Sequence, residues 1–231
     1  MLLIRRAFLP LLVALGLTAH AQAAEIAPGV SITPRAFDVP INEQPFFGFM
    51  DKTEDQKAAD AKFVEAITVK NGLSREEGGK RVARAGWQFI FERGDWETAA
   101  KRFNQAWLLD PKRSEIAHGF AIIVFERFRD HEYAGTLFRV AKSLKEPLPS
   151  LPADHGRMLL RAGKPAEAIP LLEEAIAKTP DWALPHANLA SAYSETGQPA
   201  KACAVLDKTP TKASDELKQH MARVRTQAKC P

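Results

Sequence analysis

The chain has 231 residues, of which 45% are hydrophobic and 26% are charged. This composition is typical of a globular protein and excludes an intrinsically disordered chain. The formal net charge is +4, and it falls to +2 without residues 1–24, which hold two of the 32 basic residues and none of the 28 acidic ones. No concentrated basic motif remains, so the sequence does not predict nucleic-acid binding.

Residues 1–23 predict an export signal. Arg5 and Arg6 precede an apolar run from Phe8 to Leu17, and Ala21-Gln22-Ala23 has the small-x-small pattern of a cleavage site. The apolar run is about half of the roughly 20 residues that span a bilayer, so we expect no integral membrane segment in the mature chain. The pair of arginines also allows a twin-arginine signal. Either route predicts a periplasmic or secreted protein.

Residues 24–50 predict an extended, irregular arm. Prolines interrupt this segment at positions 28, 34, 40 and 45, and the last is followed by Phe46-Phe47-Gly48-Phe49. We expect these phenylalanines to pack against the first helices of the fold. A docking strand for a partner is the alternative.

Residues 51–79 predict N-terminal capping helices. Thr53 with Gln56, and Ser74 with Glu77, have the spacing of a capping box. Gly78-Gly79 conflicts with a continuous helix, because each interior glycine costs about 1 kcal/mol relative to alanine. Either the next helix begins near Lys80 or two backbones approach closely at the glycine pair.

Residues 80–210 are internally periodic, with a repeat length typical of helical arrays. Gly163 and Gly197 are one period apart, and Gly94 lies two periods and one inserted position before Gly163. This spacing leaves room for a middle unit without the glycine, with Phe128-Arg129-Asp130 at its turn. Glycine is typical of the left-handed position just past a helix end. After each turn a small-large-small stripe recurs on one helical face: Ala99-Phe103-Ala106, Ala134-Phe138-Ala141, Ala168-Leu172-Ala175 and Ala202-Leu206-Thr209.

This pattern resembles the tetratricopeptide repeat, a helix-turn-helix unit of about the same length. Three copies carry the resemblance: Gly94, Ala99, Phe103, Ala106 and Pro111; Gly163, Ala168, Leu172, Ala175 and Pro180; Leu189, Ala190, Tyr193, Gly197, Ala202 and Leu206. The resemblance implies an all-α, right-handed superhelical solenoid of antiparallel helix pairs, with capping helices at both ends. The implied units are residues 80–113, 114–148, 149–182 and 183–210, followed by a C-terminal capping helix in residues 211–231.

The first unit departs from the family pattern at Gly86-Trp87. Here a bulky residue stands where the family packs a small one. The departure predicts a first helix pair that is spread or shifted.

The resemblance implies a protein-binding adaptor or scaffold rather than an enzyme. In this family the first helix of each unit lines a concave groove, which predicts a partner-binding surface formed by Arg81, Arg84, Gln88, Phe91, His118, Ile122, Phe125, Arg157 and Arg161. Arginines bind carboxylates through charge-assisted bonds, so we expect an acidic or C-terminal peptide as partner. The carboxylate clamp of chaperone-binding relatives is not matched, since Arg84 and Gln88 stand in place of its Lys and Asn.

Catalytic and metal-binding motifs are missing from the sequence. No two histidines have His-x-x-x-His spacing, no Gly-x-Ser-x-Gly elbow occurs, and Gly79-Lys80 lacks the rest of a phosphate loop. Asp154-His155 is the one acid-base fragment. We therefore expect no cofactor and no metal. A structural accessory of an envelope assembly machine (pilus or secretion) and a hydrolase without a recognisable motif are the alternatives.

The two cysteines, Cys203 and Cys230, lie near the C-terminal end. In an oxidising compartment they are candidates for a disulfide that holds the capping helix to the last repeat. Two independent thiols are the alternative.

Overall fold

The computed structural model describes residues 22–231. Residues 1–21, which make up most of the predicted export signal, lie outside the described part. Ten α-helices dominate the described residues: α1 Glu54–Glu65, α2 Arg75–Gln88, α3 Trp96–Leu109, α4 Ser114–Ile123, α5 His131–Ser143, α6 Leu151–Arg161, α7 Pro165–Lys178, α8 Ala183–Glu195, α9 Pro199–Asp207 and α10 Asp215–Gln227. The chain is an all-α solenoid in which α2–α3, α4–α5, α6–α7 and α8–α9 form successive helix pairs.

The small-large-small stripes hold each pair together. Phe103, Phe138 and Leu172 are each fully buried, and so are the alanines on either side of them. Burial of side chains of this size stabilises the fold by about 1.5–3 kcal/mol each. The stripe read from the sequence is therefore the core of the solenoid.

The turns between paired helices use the left-handed backbone conformation. Gly94 ends the first helix of its pair with φ 61° and ψ 22°. Arg129 takes the equivalent place in the next pair with φ 58° and ψ 21°, although it is not glycine. Asp95 and Asp130 then cap α3 and α5 by accepting hydrogen bonds from the backbone N–H three residues on, at 2.9 Å in both cases.

The glycine pair Gly78-Gly79 lies inside α2, which runs from Arg75 without a break. Residues 74–79 therefore belong to the first helix pair, and the predicted helix start near Lys80 is wrong. A Cβ on Gly79 would lie 2.7 Å from Cβ of Asp110, and one on Gly78 would collide with Ile67. The close-approach alternative is the correct one.

The first helix pair is not spread. Gly86 itself supplies the small position, because a Cβ there would lie 2.9 Å from the ring of Phe103. Trp87, the next residue along α2, is 9% exposed and packs edge-on against Phe103 and His118. The predicted shift at Gly86-Trp87 is therefore wrong.

The segment of residues 24–50, here called the strap, is more ordered than the predicted irregular arm. It forms an antiparallel hairpin of β1 (Ala24–Ala27) and β2 (Val30–Ile32), followed by two 3-10 turns at Ile41–Glu43 and Pro45–Phe49. Hydrogen bonds with Asn104 and Trp107 of the solenoid account for this order.

The strap is fastened mainly to α3. The side chain of Asn104 donates to the carbonyls of Asn42 and Gln44 and accepts from the N–H of Phe47, at 2.8–2.9 Å. Phe46 is 2% exposed and packs against Trp107 of α3 and Phe120 of α4. The phenylalanines thus pack on the solenoid as expected, but on α3 and α4.

The C-terminal end is closed by α10, which packs against α8 and α9. Cys203 of α9 and Cys230, just beyond α10, form a disulfide with their Cα atoms 5.4 Å apart. None of the helices in residues 22–231 combines the length and the hydropathy that crossing a bilayer requires.

Candidate functional site: a groove between three helices

A groove of about 680 Å³ lies between the first helices of the last two pairs and the C-terminal helix. We call it the C-terminal groove. Residues at i, i+3 and i+4 of α6 form one wall, α8 forms the floor, and α10 with the loop before it forms the other wall. The side chains that line it include Arg157, Leu160, Arg161, Trp182, Asn188, Ser191, Glu195, Lys212, Glu216, Leu217 and His220.

The lining combines apolar side chains with a few polar groups. Leu160, Trp182 and Leu217 are half-buried and give the groove an apolar surface. Volumes of about 300–1,000 Å³ with a mostly apolar lining and convergent polar groups are typical of ligand sites. The C-terminal groove has this character.

Asn188 of α8 presents an unsatisfied donor at the floor of the groove. The residue is only 8% exposed, and its Nδ2 has no hydrogen-bond partner among the described residues. A buried polar atom without a partner costs about 1–3 kcal/mol. The Nδ2 atom is itself buried, so a carbonyl oxygen of a bound chain would satisfy it once the side-chain amide rotates toward the groove.

Ser191 and His220 face each other across the same groove, with Ser191 Oγ 3.0 Å from His220 Nε2. The Ser191 hydroxyl donates its proton to the carbonyl of Ala187 at 3.0 Å. When the hydroxyl donates to this carbonyl, His220 Nε2 is the donor to Ser191. In that arrangement the imidazole does not accept the serine proton, as nucleophilic catalysis would require. Burial, together with the charge of Arg223, lowers the pKa of His220, which keeps the ring neutral near pH 7.

The charges of Arg157 and Arg161 are partly neutralised by Glu126, in the turn that follows α4, and by Asp154 of α6. Arg161 Nη1 lies 2.5 Å from Glu126 Oε1, and its guanidinium lies 4.4 Å above the Phe125 ring. Arg157 is 4.0 Å from Glu126 and 3.9 Å from Asp154, and its buried Nε has no hydrogen-bond partner among the described residues. Both contacts are longer than a hydrogen bond, so the part-exposed guanidinium of Arg157 has hydrogen-bonding capacity left for a ligand.

The structure separates the predicted partner-binding residues into three groups. Arg157 and Arg161 line the C-terminal groove. The second group lies outside that groove, on an exposed face of α2 and of the turn after it, and consists of Arg81, Arg84, Gln88 and Phe91. Phe91 is 76% exposed and stacks on Trp87, with ring centroids 5.5 Å apart.

The third group, His118, Ile122 and Phe125, is buried, with exposures of 0%, 5% and 1%. Their prediction as partner-binding residues is wrong for this conformation. Nine of the ten residues of α4 are buried, and the helix lies inside the solenoid between neighbouring helices. The positions predicted to face the groove therefore belong to the hydrophobic core.

The fragment Asp154-His155 is not an acid-base pair. Asp154 Oδ2 binds His118 Nε2 at 3.1 Å, whereas the His155 ring stacks on Phe138 with centroids 4.8 Å apart. Burial, and then the charges of Arg139 and Lys142, lower the pKa of His155 to about 4. In residues 22–231 no three His, Cys, Asp or Glu side chains are close enough to hold a metal ion.

The sequence prediction missed the floor and the second wall of the groove. Asn188, Ser191 and Glu195 follow i, i+3, i+7 spacing in a helix otherwise rich in alanine and leucine, which is a signal of a polar inner face. Lys212 and His220 carry no such signal. They join the site only because α10 folds back beside α8.

Comparisons with known proteins agree with this architecture. A family model described as "Tetratricopeptide repeat" matches residues 159–225, a range that contains most of the groove. No curated protein sequence matches the chain.

Several solved structures share the fold. The structure of pilF from Pseudomonas aeruginosa is 19% identical with a TM-score of 0.58, over 67% of this chain and 71% of that one. A thermophilic tetratricopeptide-repeat protein of Thermus thermophilus is 17% identical with a TM-score of 0.53, over 65% and 86%. YrrB, described as having an unusual peptide-binding site, is 13% identical with a TM-score of 0.51, over 77% and 84%. At these identities the similarity shows the fold.

Proposed function

We propose that this chain, which matches the tetratricopeptide-repeat model over residues 159–225 and shares the fold of such proteins, is a protein-interaction scaffold that holds a peptide of a partner protein in the C-terminal groove. The observation that carries this proposal is Asn188, an amide that is 8% exposed and has a donor without a partner among the described residues. An extended peptide offers a carbonyl at every residue and can satisfy such a donor without any sequence requirement. Side chains of the peptide then pack on Trp182, Leu160 and Leu217.

The charges of the groove favour a peptide that ends there. Arg157, Arg161 and Lys212 line it, but so do Glu195 and Glu216. A uniformly acidic segment would meet repulsion from these two acids. A single terminal carboxylate placed at the α6 wall would bind Arg157 through a charge-assisted hydrogen bond and avoid both. We therefore place the C-terminus of the partner at that wall.

The scaffold acts outside the cytoplasm under this proposal. The arginine pair followed by an apolar run and a small-x-small site supports export. The disulfide between Cys203 and Cys230 supports an oxidising compartment, since cytosolic thiols are normally kept reduced. An accessory role in an envelope assembly machine would use the same groove. The hydrolase alternative is less favoured, because the Ser191 hydroxyl beside His220 has the Ala187 carbonyl as a competing acceptor.

The test compares two double charge reversals of equal size. The full-length protein is applied to an array of peptides that carry either a free carboxylate or an amide at the C-terminus. One variant combines Arg157→Glu with Arg161→Glu inside the groove, and the control combines Arg81→Glu with Arg84→Glu on α2. We expect the groove variant to weaken binding of free-carboxylate peptides by at least tenfold, from the loss of about 1.5–3 kcal/mol of charge-assisted bonding, and the control to bind as the wild type does.

Circular dichroism checks that both variants keep their helices. Equal binding by the wild type and the folded groove variant would reject the C-terminal groove as the site. Loss of binding in the α2 variant alone would move the site to the exposed face of α2. A wild type that binds amidated peptides as tightly as free ones would reject the terminal carboxylate.

A further inference from the structure

A second cavity, of about 600 Å³, lies on the outer face of the solenoid between the strap, α1 and α3. We call it the outer cleft. Its existence is unusual for a capping position, because a cap serves to cover the apolar side of the first repeat. In this protein α1 has no buried residue at all. The cap and the repeat therefore leave space between them.

Both helices turn a regular stripe toward this space. The cleft is lined from α1 by Gln56, Ala59, Asp60 and Phe63, at positions i, i+3, i+4 and i+7. It is lined from α3 by Thr98, Arg102 and Gln105, at positions i, i+4 and i+7. Each set is one face of a helix. Two helix faces that are directed at each other usually close to a distance of about 8–10 Å between axes and bury their central residues. Here Ala59 is exposed and the other six residues are only half-buried.

The apolar part of the cleft is aromatic. Phe47 of the strap is 8% exposed, and Phe63 of α1 is half-buried. Ile41 extends this surface along the strap. Lys52 Nζ lies 3.0 Å from the centroid of the Phe47 ring, so an apolar body of ligand size packs against the remaining edge of that ring and against Phe63.

One cation of the cleft has no acidic partner among the described residues. Lys101 lies 3.1 Å from Glu43, and Lys52 is paired with Asp60. Arg102, in contrast, donates only to the neutral amide of Gln105, at 2.8 Å. A guanidinium in this setting can bind a carboxylate with two parallel hydrogen bonds.

We propose that the outer cleft is a binding site for a small amphipathic anion. Its apolar body packs between Phe47 and Phe63, and its carboxylate binds Arg102, with the Gln105 amide beside it. The cleft volume lies within the range of about 300–1,000 Å³ that is typical of small-molecule sites. This site is separate from the C-terminal groove and does not depend on the peptide proposal. A bound molecule would complete the contact between α1 and α3.

Calorimetric titration of the full-length protein with dodecanoate and with naphthalene acetate tests the proposal. Dodecyltrimethylammonium, which carries the opposite charge on a similar chain, is the ligand control. We expect saturable binding of an anion at one site per chain, and Arg102→Gln should weaken it about tenfold, the effect of one lost charge-assisted hydrogen bond. Arg102→Lys should retain part of the affinity.

Two further variants separate the cleft from general effects. Ala59→Trp fills the cleft from α1 and should abolish binding, while its circular dichroism stays that of the wild type. Arg139→Gln removes an exposed arginine of α5 that donates to Thr136, and it should bind as the wild type does. The proposal is overturned if neither anion saturates, if the cationic amphiphile binds equally well, or if folded Arg102→Gln and Ala59→Trp variants keep the wild-type affinity.

Discussion

The ring of Phe103 occupies the space in which a side chain on Gly119 would lie. Phe103 belongs to α3 and Gly119 to α4, so this contact joins the first helix pair to the second. On the other side the same ring touches Gly86 of α2. One buried phenylalanine is thus held between two glycines from different helices, and the spacing of three helices depends on both glycines.

Gly119→Ala should therefore destabilise the protein, although alanine is the better helix former. The added methyl group collides with a fully buried ring, and overpacking of this kind costs about 1–3 kcal/mol. Urea unfolding followed by circular dichroism measures the change. Gly135→Ala in α5 is the matched control, since its Cβ would meet its nearest neighbours, Arg139 and Met158, at 3.6 and 3.7 Å. It should be neutral or stabilise by up to about 1 kcal/mol. Equal stability of the two variants would contradict the assigned contact.

Arg129→Gly should stabilise the second pair. Arg129 has φ 58°, a conformation that costs an ordinary residue roughly 1–2 kcal/mol and glycine little. The greater entropy of glycine in the unfolded chain removes roughly 0.5–1 kcal/mol of that gain. The contact of Arg129 with Glu126 is exposed and contributes little. We expect a net gain of about 0.5–1 kcal/mol by thermal or urea unfolding.

Arg129→Ala is the control for this prediction, because it removes the same charge and keeps the positive φ. It should not be more stable than the wild type. A glycine variant that is no more stable than the alanine variant would show that the turn is not strained.

The repeat could be predicted from the sequence because its signal is local. A step of four and then three residues places Ala99, Phe103 and Ala106 on one helical face whatever the rest of the chain does. All three are fully buried, as the stripe indicates. The sequence also predicts the turn without glycine at Phe128-Arg129-Asp130, and in the structure Asp130 is the N-cap of α5.

The strap and the groove could not be predicted in the same way, because both depend on contacts between distant parts of the chain. Asn104 fixes Phe47 across 57 positions, and nothing near Phe47 in the sequence indicates that contact. His220 reaches Ser191 only because α10 returns beside α8. The repeat position of Ile122 and Phe125 predicts that they line the groove, whereas their apolar character predicts the core. They lie in the core.

The stability of the protein should decrease between pH 6.5 and pH 4 through His155. Its pKa is about 4 in the fold, mainly because of burial and then of Arg139 and Lys142, against an ordinary value of 6.5. The unfolded chain binds more protons in this window, so the stabilisation is complete above pH 6.5 and is lost as the pH falls through 4. At about 1.4 kcal/mol per pH unit, and allowing for solvent screening of the part-exposed ring, the loss is roughly 2 kcal/mol.

His155→Phe isolates this contribution, since it retains a ring to stack on Phe138 and cannot titrate. Urea unfolding of both proteins at several pH values should show curves that diverge as the pH falls from 6.5 to 4.5, with the wild type losing more. Above pH 7 their difference should be constant. Parallel curves over the whole range would mean that His155 titrates normally in the folded protein.

The disulfide should support both the stability of the protein and its C-terminal groove. The bond closes a loop between residues 27 positions apart, which contributes about 3–4 kcal/mol on the chain-entropy account. It also holds α10, and with it His220 and Leu217, against the last helix pair. Cys203→Ser combined with Cys230→Ser should therefore lower the free energy of unfolding by about 3 kcal/mol. Amide hydrogen exchange in α10 should increase more than in α4, because a cap without its bond opens locally before the core does.

The same double variant separates the two binding sites. Peptide binding in the C-terminal groove should weaken, since one wall then fluctuates, whereas binding of dodecanoate in the outer cleft should not change, because α1, α3 and the strap lie at the other end of the solenoid. Reduction of the wild type with dithiothreitol should reproduce both effects and excludes a role for the serine side chains. If peptide affinity survives while the exchange of α10 increases, then α10 is not a wall of the site, and α6 with α8 alone must hold the partner.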